Sequence, residues 1–385
     1  MTQPRPTILH LAVDFNTPQR KPTTIAIERF VEELTEFENV VVAFERSISL
    51  PLPAPAPVFG KTGVVYHFPY FGLPLGLDLH RAMRTAARRT IIRLEADGIR
   101  PDLVHAHKLT FEGLAGWYVA QHFGVPLFVS LRGEVETKVF RMKPELRGLL
   151  RRISQDTAKL YFVSAWFRDE FHRHVPSQPA KERLLPNIVR NIRQTIVPQP
   201  AGEAFVSVLD LDTWKRKGLR WLLDAFALAL SQDPTLRLDI IGGGSTSSVA
   251  LVRKMISERG LQKVVTLLGP MPNAQLLSRM PGYRGLLLPS INETFGMVYV
   301  EAIFAGIPIL LTANTAIDGY LDGLDVGIAV PPKDVKEISA AILQMSTSHA
   351  KLRANITAAA PTLFARFDPV ASVTSYCDDV KKAIS

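Results

Sequence analysis

Cysteine is nearly absent: the 385 residues contain one, Cys377. That excludes an internal disulfide framework and a metal cluster built on thiolates, and it fits a reducing compartment. No stretch approaches the ~18 consecutive apolar residues of a membrane-crossing helix. The opening segment, MTQPRPTILHLAVDF, lacks the apolar core of a signal peptide and reads as the approach to a buried first strand. The expectation is a cytoplasmic protein whose membrane contact, if any, is peripheral and at the inner face. Neither a metal-finger spacing nor an aromatic-rich basic stretch of the RNA-recognition kind is present, which argues against nucleic acid as a partner. No repeat of fixed period occurs.

What is there is an alternation. Apolar runs at 8–13, 40–44, 64–68, 102–106, 127–131 and 158–163 read as strands in the first half, and those at 205–209, 236–241, 264–268, 285–288, 309–312 and 329–332 in the second. Helical patterns between them, such as 25–34, 77–96 and 219–230, argue an α/β chain with a mostly parallel sheet in each half. A polar, proline-containing stretch at 191–202 reads as a linker between domains at 1–190 and 203–365, and 366–385 reads as a final helix. LPLPAPAP at 50–57 reads as irregular, because proline lacks the N–H and fixes φ. Ser164 reads as the cap of a short helix through Phe171. The net charge of +9 points to an anionic partner, whether lipid headgroups or a phosphorylated ligand. Two basic surfaces stand out. Arg81, Arg84 and Arg88 share a helix face after an apolar segment at 70–75, and Lys138, Arg141, Lys143, Arg147, Arg151 and Arg152 cluster further on. Each is either a solvated helix face or a surface for an acceptor or an anionic membrane.

The chain is organised around residues 288–308, LPSINETFGMVYVEAIFAGIP. A strand ends at Pro289 and Ser290, a loop carries Glu293, and a helix starts near Gly296 and stops at Gly306 with Pro308 beyond. Glu301 lies about one and a half turns into that helix at ~1.5 Å per residue. N–H groups at Gly296, Met297 and Val298 would then form an anion-favouring helix start between two carboxylates. A phosphate cradle beside two hydroxyl-binding carboxylates suits a nucleotide sugar, although two Glu residues eight apart also occur by chance.

The order of the stretch resembles the signature of glycosyltransferase family 4, retaining enzymes of the GT-B fold. There a strand ends in Pro-Ser, followed by Glu, Phe-Gly, a second Glu and Ala-x-x-x-Gly-x-Pro. Pro289, Ser290, Glu293, Phe295, Gly296, Glu301, Ala302, Gly306 and Pro308 occupy those places. Further matches are His105-x-His107 after a strand, Gly124-x-Pro126, and Lys217-Gly218 before a helix. The resemblance runs from about Pro101 to the end and is densest from Lys217 to Pro332.

The resemblance implies two Rossmann-like domains facing across a cleft, with the last helix returning to the first. It implies a retaining glycosyltransferase that takes a nucleotide-diphosphate sugar, needs no bound metal or other cofactor, and serves a glycan or lipid-linked acceptor. Glu293 would orient the donor sugar and Glu301 the ribose, with Thr294, Phe295, Met297 and Val298 around them. Lys217, helped by Arg216, would hold the diphosphate. Gly243, in a Gly-rich turn, and Met271 would lie near the nucleoside. His107, expected to be more exposed at the sheet edge than His105, would line the reacting centre. Arg132 stands where many members have His, and Asp210 or Asp212 where they have Arg. On the acceptor side, Arg20, Thr23 and Thr24 replace a customary Gly-Gly pair. A nucleotide-sugar epimerase of the same fold and a non-catalytic sugar-nucleotide-binding protein remain as alternatives.

Overall fold

The computed structural model describes residues 5–19, 24–50, 52, 55–60, 62–197, 200 and 202–385. They form two compact units. One comprises the chain up to Val163, Phe167–Ile188 and Pro369–Ser385, and the other Ser164–Trp166 and Val189–Asp368. None of the described helices is long and apolar enough to cross a membrane.

The first unit begins β1 (Thr7–Ala12), α1 (Ala26–Glu33), β2 (Glu38–Ser47), β3 (Ala56–Gly60), β4 (Gly63–Phe71) and α2 (Leu79–Ala96). It continues through β5 (Leu103–Ala106), α3 (Phe111–Phe123), β6 (Leu127–Leu131), α4 (Glu134–Met142) and α5 (Arg147–Asp156). Next come β7 (Lys159–Phe162), α6 (Phe167–His172) and β8 (Glu182–Leu184). The sheet order is β3-β4-β2-β1-β5-β6-β7-β8, parallel except at β3–β4. Strands β5 and β6 are buried along their whole length, as a parallel sheet covered on both faces requires. The proline run is less irregular than its sequence suggests. Strand β3 begins inside it, and Pro57 faces Tyr66. An edge strand tolerates proline because one side of its backbone needs no ladder partner.

The second unit runs β9 (Ala204–Val208), α7 (Leu219–Leu230), β10 (Arg237–Ile241), α8 (Thr246–Glu258), β11 (Val265–Gly269) and α9 (Asn273–Arg279). It closes with β12 (Leu286–Leu287), α10 (Met297–Phe304), β13 (Ile309–Thr312), β14 (Gly327–Val330) and α11 (Val335–Phe367). All pairings in the order β11-β10-β9-β12-β13-β14 are parallel. Helix α7 buries Leu219, Leu222, Leu223, Phe226 and Ala229, a stripe at helical spacing. Within the stretch expected as a linker, Ile196 is buried and the Gly202 N–H donates to the Gly282 carbonyl of this unit at 2.8 Å. Helix α11 runs unbroken over 33 residues. Ser346 and Thr347 do not break it, since Thr347 bonds back to the Leu343 carbonyl and Ser346 donates to Asp233. The Ser164 hydroxyl donates to the Thr294 carbonyl within the second unit.

Both sheets reverse direction of growth once. After β1 the chain builds outward through β2 and β4, then returns to lay β5 on the other side of β1. After β9 it builds through β10 and β11, then returns to lay β12 on the other side of β9. Such reversals part the loops at the carboxyl ends of the strands and make a crevice for ligands.

Helix α12 (Pro369–Ile384) belongs to the first unit and is held there by buried polar groups. Tyr161 donates to Asp379 at 2.9 Å, and Lys159 and Arg183 reach the same carboxylate at 3.2 and 3.4 Å. Tyr376 meets His105 Nδ1 at 2.9 Å, and His105 Nε2 meets Ser130 at 2.9 Å. His105 is one of three buried imidazoles with His10 and His107. Asn39 donates its amide to the Leu34 carbonyl, so its Oδ1 accepts from His10 Nε2. His10 Nδ1 is then the acceptor of the 3.2 Å bond from His107 Nε2.

Burial holds His10 down, from 6.5 to about 4, against the opposing Asn39 bond. Burial, and then neighbouring positive charge, holds His105 and His107 well below their ordinary value. The three rings are neutral in the fold but take up protons near pH 6.5 in the unfolded chain. As pH falls the unfolded state binds more protons, so stability is lost on acidification. For His10 the loss runs from pH 6.5 to about 4 and amounts to about 3 kcal/mol. Amide exchange in α12 should accelerate, and the denaturant midpoint fall, across that window. A midpoint that stays flat would remove the neutral-histidine account.

Candidate functional site

The loops after β9 and β12 meet at the strand-order reversal of the second unit. The first carries Lys217 and the second Glu293, and the two side chains form an ion pair. Glu293 is only 9% exposed. Arg216 lies 4.0 Å from the other oxygen of the same carboxylate and donates to the Asn292 carbonyl at 3.3 Å. The Ile291 N–H donates to the Arg216 carbonyl at 2.8 Å, which ties the loops backbone to backbone. Glycine makes this approach possible. Gly218 has φ +72°, and a Cβ there would sit 2.0 Å from the Pro289 carbonyl oxygen.

Gly296, at φ +68°, turns the chain into α10, whose N-terminus no side chain caps. A Cβ at Gly296 would meet the Tyr299 ring at 2.6 Å and Glu293 Cγ at 3.1 Å. Tyr299 is fully buried and donates to the Leu288 carbonyl. Burial, and then Glu293, holds its phenol well above the ordinary value, so it stays a donor. The helix start and the ion pair are therefore fixed from one side by an aromatic ring and from the other by the β12 backbone.

The remaining candidates in this unit are placed as follows. Glu301 is half-buried and accepts from Asn273, on the first turn of α9, at 3.3 Å. Met297, Val298 and Thr294 are half-buried, as are Gly243 and Met271. The Gly243 carbonyl accepts from the Leu211 N–H at 2.7 Å. Phe295 corrects the sequence reading. Its ring is 1% exposed and packs edge-on against Tyr320 and Phe367, so it supports the loop from the core and offers no face to a ligand. Asp210 and Asp212, where a cation was sought, shape their own loop. Asp210 accepts from the Asp212 N–H at 2.9 Å, and Asp212 accepts from the Ser245 N–H at 3.0 Å and its hydroxyl at 2.7 Å. Those bonds, with Ser248, hold the Asp212 carboxyl below its ordinary range.

In the first unit, the segments after β1, β5 and β6 bring buried charges together. Lys108 pairs with Asp14. Glu112, on the first turn of α3, accepts from the Val13 N–H at 2.9 Å, and burial pushes it up to about 7 against the nearby Lys108. Glu136 accepts from the N–H groups of Gly133 and Leu109 at 3.0 and 3.2 Å. Arg132, 8% exposed, donates to the His107 carbonyl at 3.0 Å and to Asn187 at 3.3 Å. His107 also departs from expectation. It is 1% exposed, no more open than His105, because its ring is drawn into the histidine cluster. His10, His105 and His107 offer ligand atoms within 4.8 Å of one another. Their nitrogens already bond each other, Asn39, Ser130 and Tyr376. Thr24 accepts from the Ala26 N–H at 3.2 Å at the start of α1, while Arg20 and Thr23 lie outside the described residues. No sequence motif announced Asp14, Glu112 or Asn273; each comes into place only through strand order.

Comparison with known proteins matches the two halves separately. A family described as Glycosyl transferases group 1 matches residues 197–362, and one described as Glycosyl transferase 4-like domain matches 25–188. The D-inositol 3-phosphate glycosyltransferase of Streptomyces coelicolor is 27% identical over 330 residues, 75% of this chain and 71% of that protein. Its counterpart in Jonesia denitrificans is 27% identical over 67% of this chain and 66% of its own length. Matches to other such relatives span about half of their length, 54% for Streptomyces avermitilis. Among solved structures, sucrose-phosphate synthase from Thermosynechococcus elongatus superposes with a TM-score of 0.71 at 19% identity, over 98% of this chain and 99% of that one. Anabaena HepE in complex with UDP-glucose gives 0.65 at 17% identity, over 98% and 99%. These likenesses establish the GT-B fold.

Because Gly218 holds a left-handed backbone against a carbonyl, Gly218→Ala should cost about 2 kcal/mol or more. It should also part the two loops. Thermal or denaturant unfolding of the second unit checks the first effect. Replacing Gly282, where a Cβ meets nothing within 4 Å, gives the control, which should change little.

Proposed function

The chain belongs to the GT-B glycosyltransferases of family 4, and on that premise we propose that it is a retaining transferase moving a sugar from a nucleotide-diphosphate sugar to a glycan or lipid-linked acceptor. The observation that carries the reading is the Lys217–Glu293 pair at the strand-order reversal of the second unit, with Arg216 beside it and the uncapped start of α10 adjoining.

In this reading the donor replaces the ion pair rather than adding to it. The diphosphate takes the Lys217 ammonium and the Arg216 guanidinium, and Glu293, released, accepts hydroxyls of the sugar. Neither charge is left buried without a partner, which would be costly for groups so little exposed. As the bond to the anomeric carbon breaks, negative charge grows on the leaving diphosphate, where two cations and the N–H groups of Gly296–Val298 stabilise it. Arg216 supplies the second cation that Asp210 does not. Glu301 takes the ribose hydroxyls, and Gly243 and Met271 lie toward the nucleoside. In the first unit, Arg132 donating to the His107 carbonyl is assigned to the reacting centre, and Thr24 to the acceptor side, on the family resemblance alone. No metal or other cofactor enters this scheme.

The test is a donor screen with uridine, guanosine and adenosine diphosphate sugars, read by binding and by transfer. Lys217→Ala and Glu293→Gln should each lower kcat roughly a hundredfold, and Arg216→Ala somewhat less. The product should keep the donor's anomeric configuration by NMR; inversion would end the retaining assignment. Release of free nucleotide with no acceptor requirement would mark an epimerase instead. Binding without turnover on any glycan, lipid-linked or inositol phosphate acceptor would leave a sugar-nucleotide-binding protein.

A further inference from the structure

The turn entering α2 presents leucines to solvent. Leu73, Leu75 and Leu77 are 40%, 79% and 54% exposed within five residues. Leu75 has φ +56°, a left-handed backbone that side chains other than Asn, Asp and Gly rarely adopt. Gly76 and Asp78 on either side of Leu77 also have positive φ, so the turn is tightly wound with its apolar side chains outward. Water does not favour such a display, and a soluble turn of this shape would ordinarily carry Asn or Gly there.

The surroundings are cationic. Arg81 and Arg84, on the first turns of α2, are exposed. A Cβ on Gly76 would lie 3.9 Å from Lys143 Cε, so the end of α4 adjoins the turn. That end brings Lys143, exposed Arg141, and Met142 at 57% exposure. The acidic groups nearby offset this in part: Asp78 is 3.8 Å from Arg81 in an exposed pair, Glu134 is taken up by Lys138 at 2.9 Å, and Glu145 is exposed just after Lys143, leaving the cations in excess. The turn and the end of α4 thus combine exposed apolar side chains with an excess of cations.

We propose that this surface, the 73–78 turn with the start of α2 and the end of α4, seats the first unit on an anionic lipid bilayer. The leucines and Met142 enter the headgroup boundary, and the arginines and lysines meet the anionic headgroups. Charge complementarity selects the partner's sign, and the apolar turn selects a bilayer over a soluble polyanion: a charged glycan would satisfy the cations but leave the leucines in water. This surface belongs to the first unit and the Lys217–Glu293 pair to the second, and its test does not depend on transfer activity.

The experiment is co-sedimentation of the full chain with vesicles of phosphatidylcholine alone or mixed with phosphatidylglycerol. Binding is expected to the mixed vesicles and not to phosphatidylcholine alone. Leu75→Asn with Leu77→Ser should weaken it about tenfold or more. Asn tolerates the left-handed backbone, so a loss reports the missing apolar groups and not a broken fold. Arg81→Ser with Arg84→Ser should weaken it by about tenfold to thirtyfold. Val370→Ser, at 72% exposed on α12, should leave it unchanged. Absence of binding to the mixed vesicles at low salt overturns the proposal. So does binding that survives loss of the leucines but is abolished by salt or by a soluble anionic glycan, which would assign the surface to a polyanion.

Discussion

The chemistry of the second unit depends on one topological constraint. A parallel sheet that grows first to one side of a strand and then to the other must part its loops at that strand's carboxyl end. Strands β9 and β12 flank that point, and the loops that follow them carry Lys217 and Glu293. The ion pair closes the gap the topology opens. Its position is fixed below by Gly218 against the Pro289 carbonyl and beside it by Tyr299 under Gly296. A side chain at Gly218 would push the first loop off the second, and one at Gly296 would displace the Tyr299 ring or Glu293 itself, so the geometry of the pair is set by close packing at two glycines.

The first unit applies the same constraint differently. Its reversal at β1 and β5 gathers Asp14, Lys108 and Glu112, with Arg132 and Glu136 following β6. These groups are nearly all buried, and they bond one another and the loop backbone, except that Glu112 Oε2 is buried without a hydrogen-bond partner among the described residues. Immediately behind lies the histidine cluster, which joins β1 and β5 to α12 through Tyr376. The polar core of this unit therefore serves two purposes: its outer layer shapes the loop ends, and its inner layer anchors a helix that arrives from the far end of the sequence. Neutral imidazoles suit the inner layer, since each can donate at one nitrogen and accept at the other.

Charge is distributed to match. The cations beside Glu293 are drawn inward, whereas those on α2 and at the end of α4 are exposed beside exposed leucines. The excess of positive charge in the sequence thus resolves into a local cradle and a separate surface. A mean composition cannot distinguish these, because exposure depends on which elements pack over each residue.

Much of the fold is legible in the chain because parallel strands buried on both faces leave unbroken apolar runs, as at 127–131 and 309–312, and a helix packed on one face leaves a stripe, as at 219–230. The Glu293 to Pro308 stretch was equally plain, since its turn, helix start and helix stop are each marked by local residue chemistry. What the chain alone could not show was anything set by neighbours distant in sequence. Phe295 looked like part of a binding loop, but Tyr320 and Phe367 make it core. His107 looked like a loop-edge residue until His10 drew it inward. The proline run admitted a strand because it falls on an edge. By itself, the sequence determined most of the elements and their parallel class, because these follow from local periodicity and turn chemistry. Only the tertiary structure decided that Lys217, 76 residues before Glu293, would neutralise it, because pairing across strands depends on sheet order, and sheet order is fixed by packing over the whole unit.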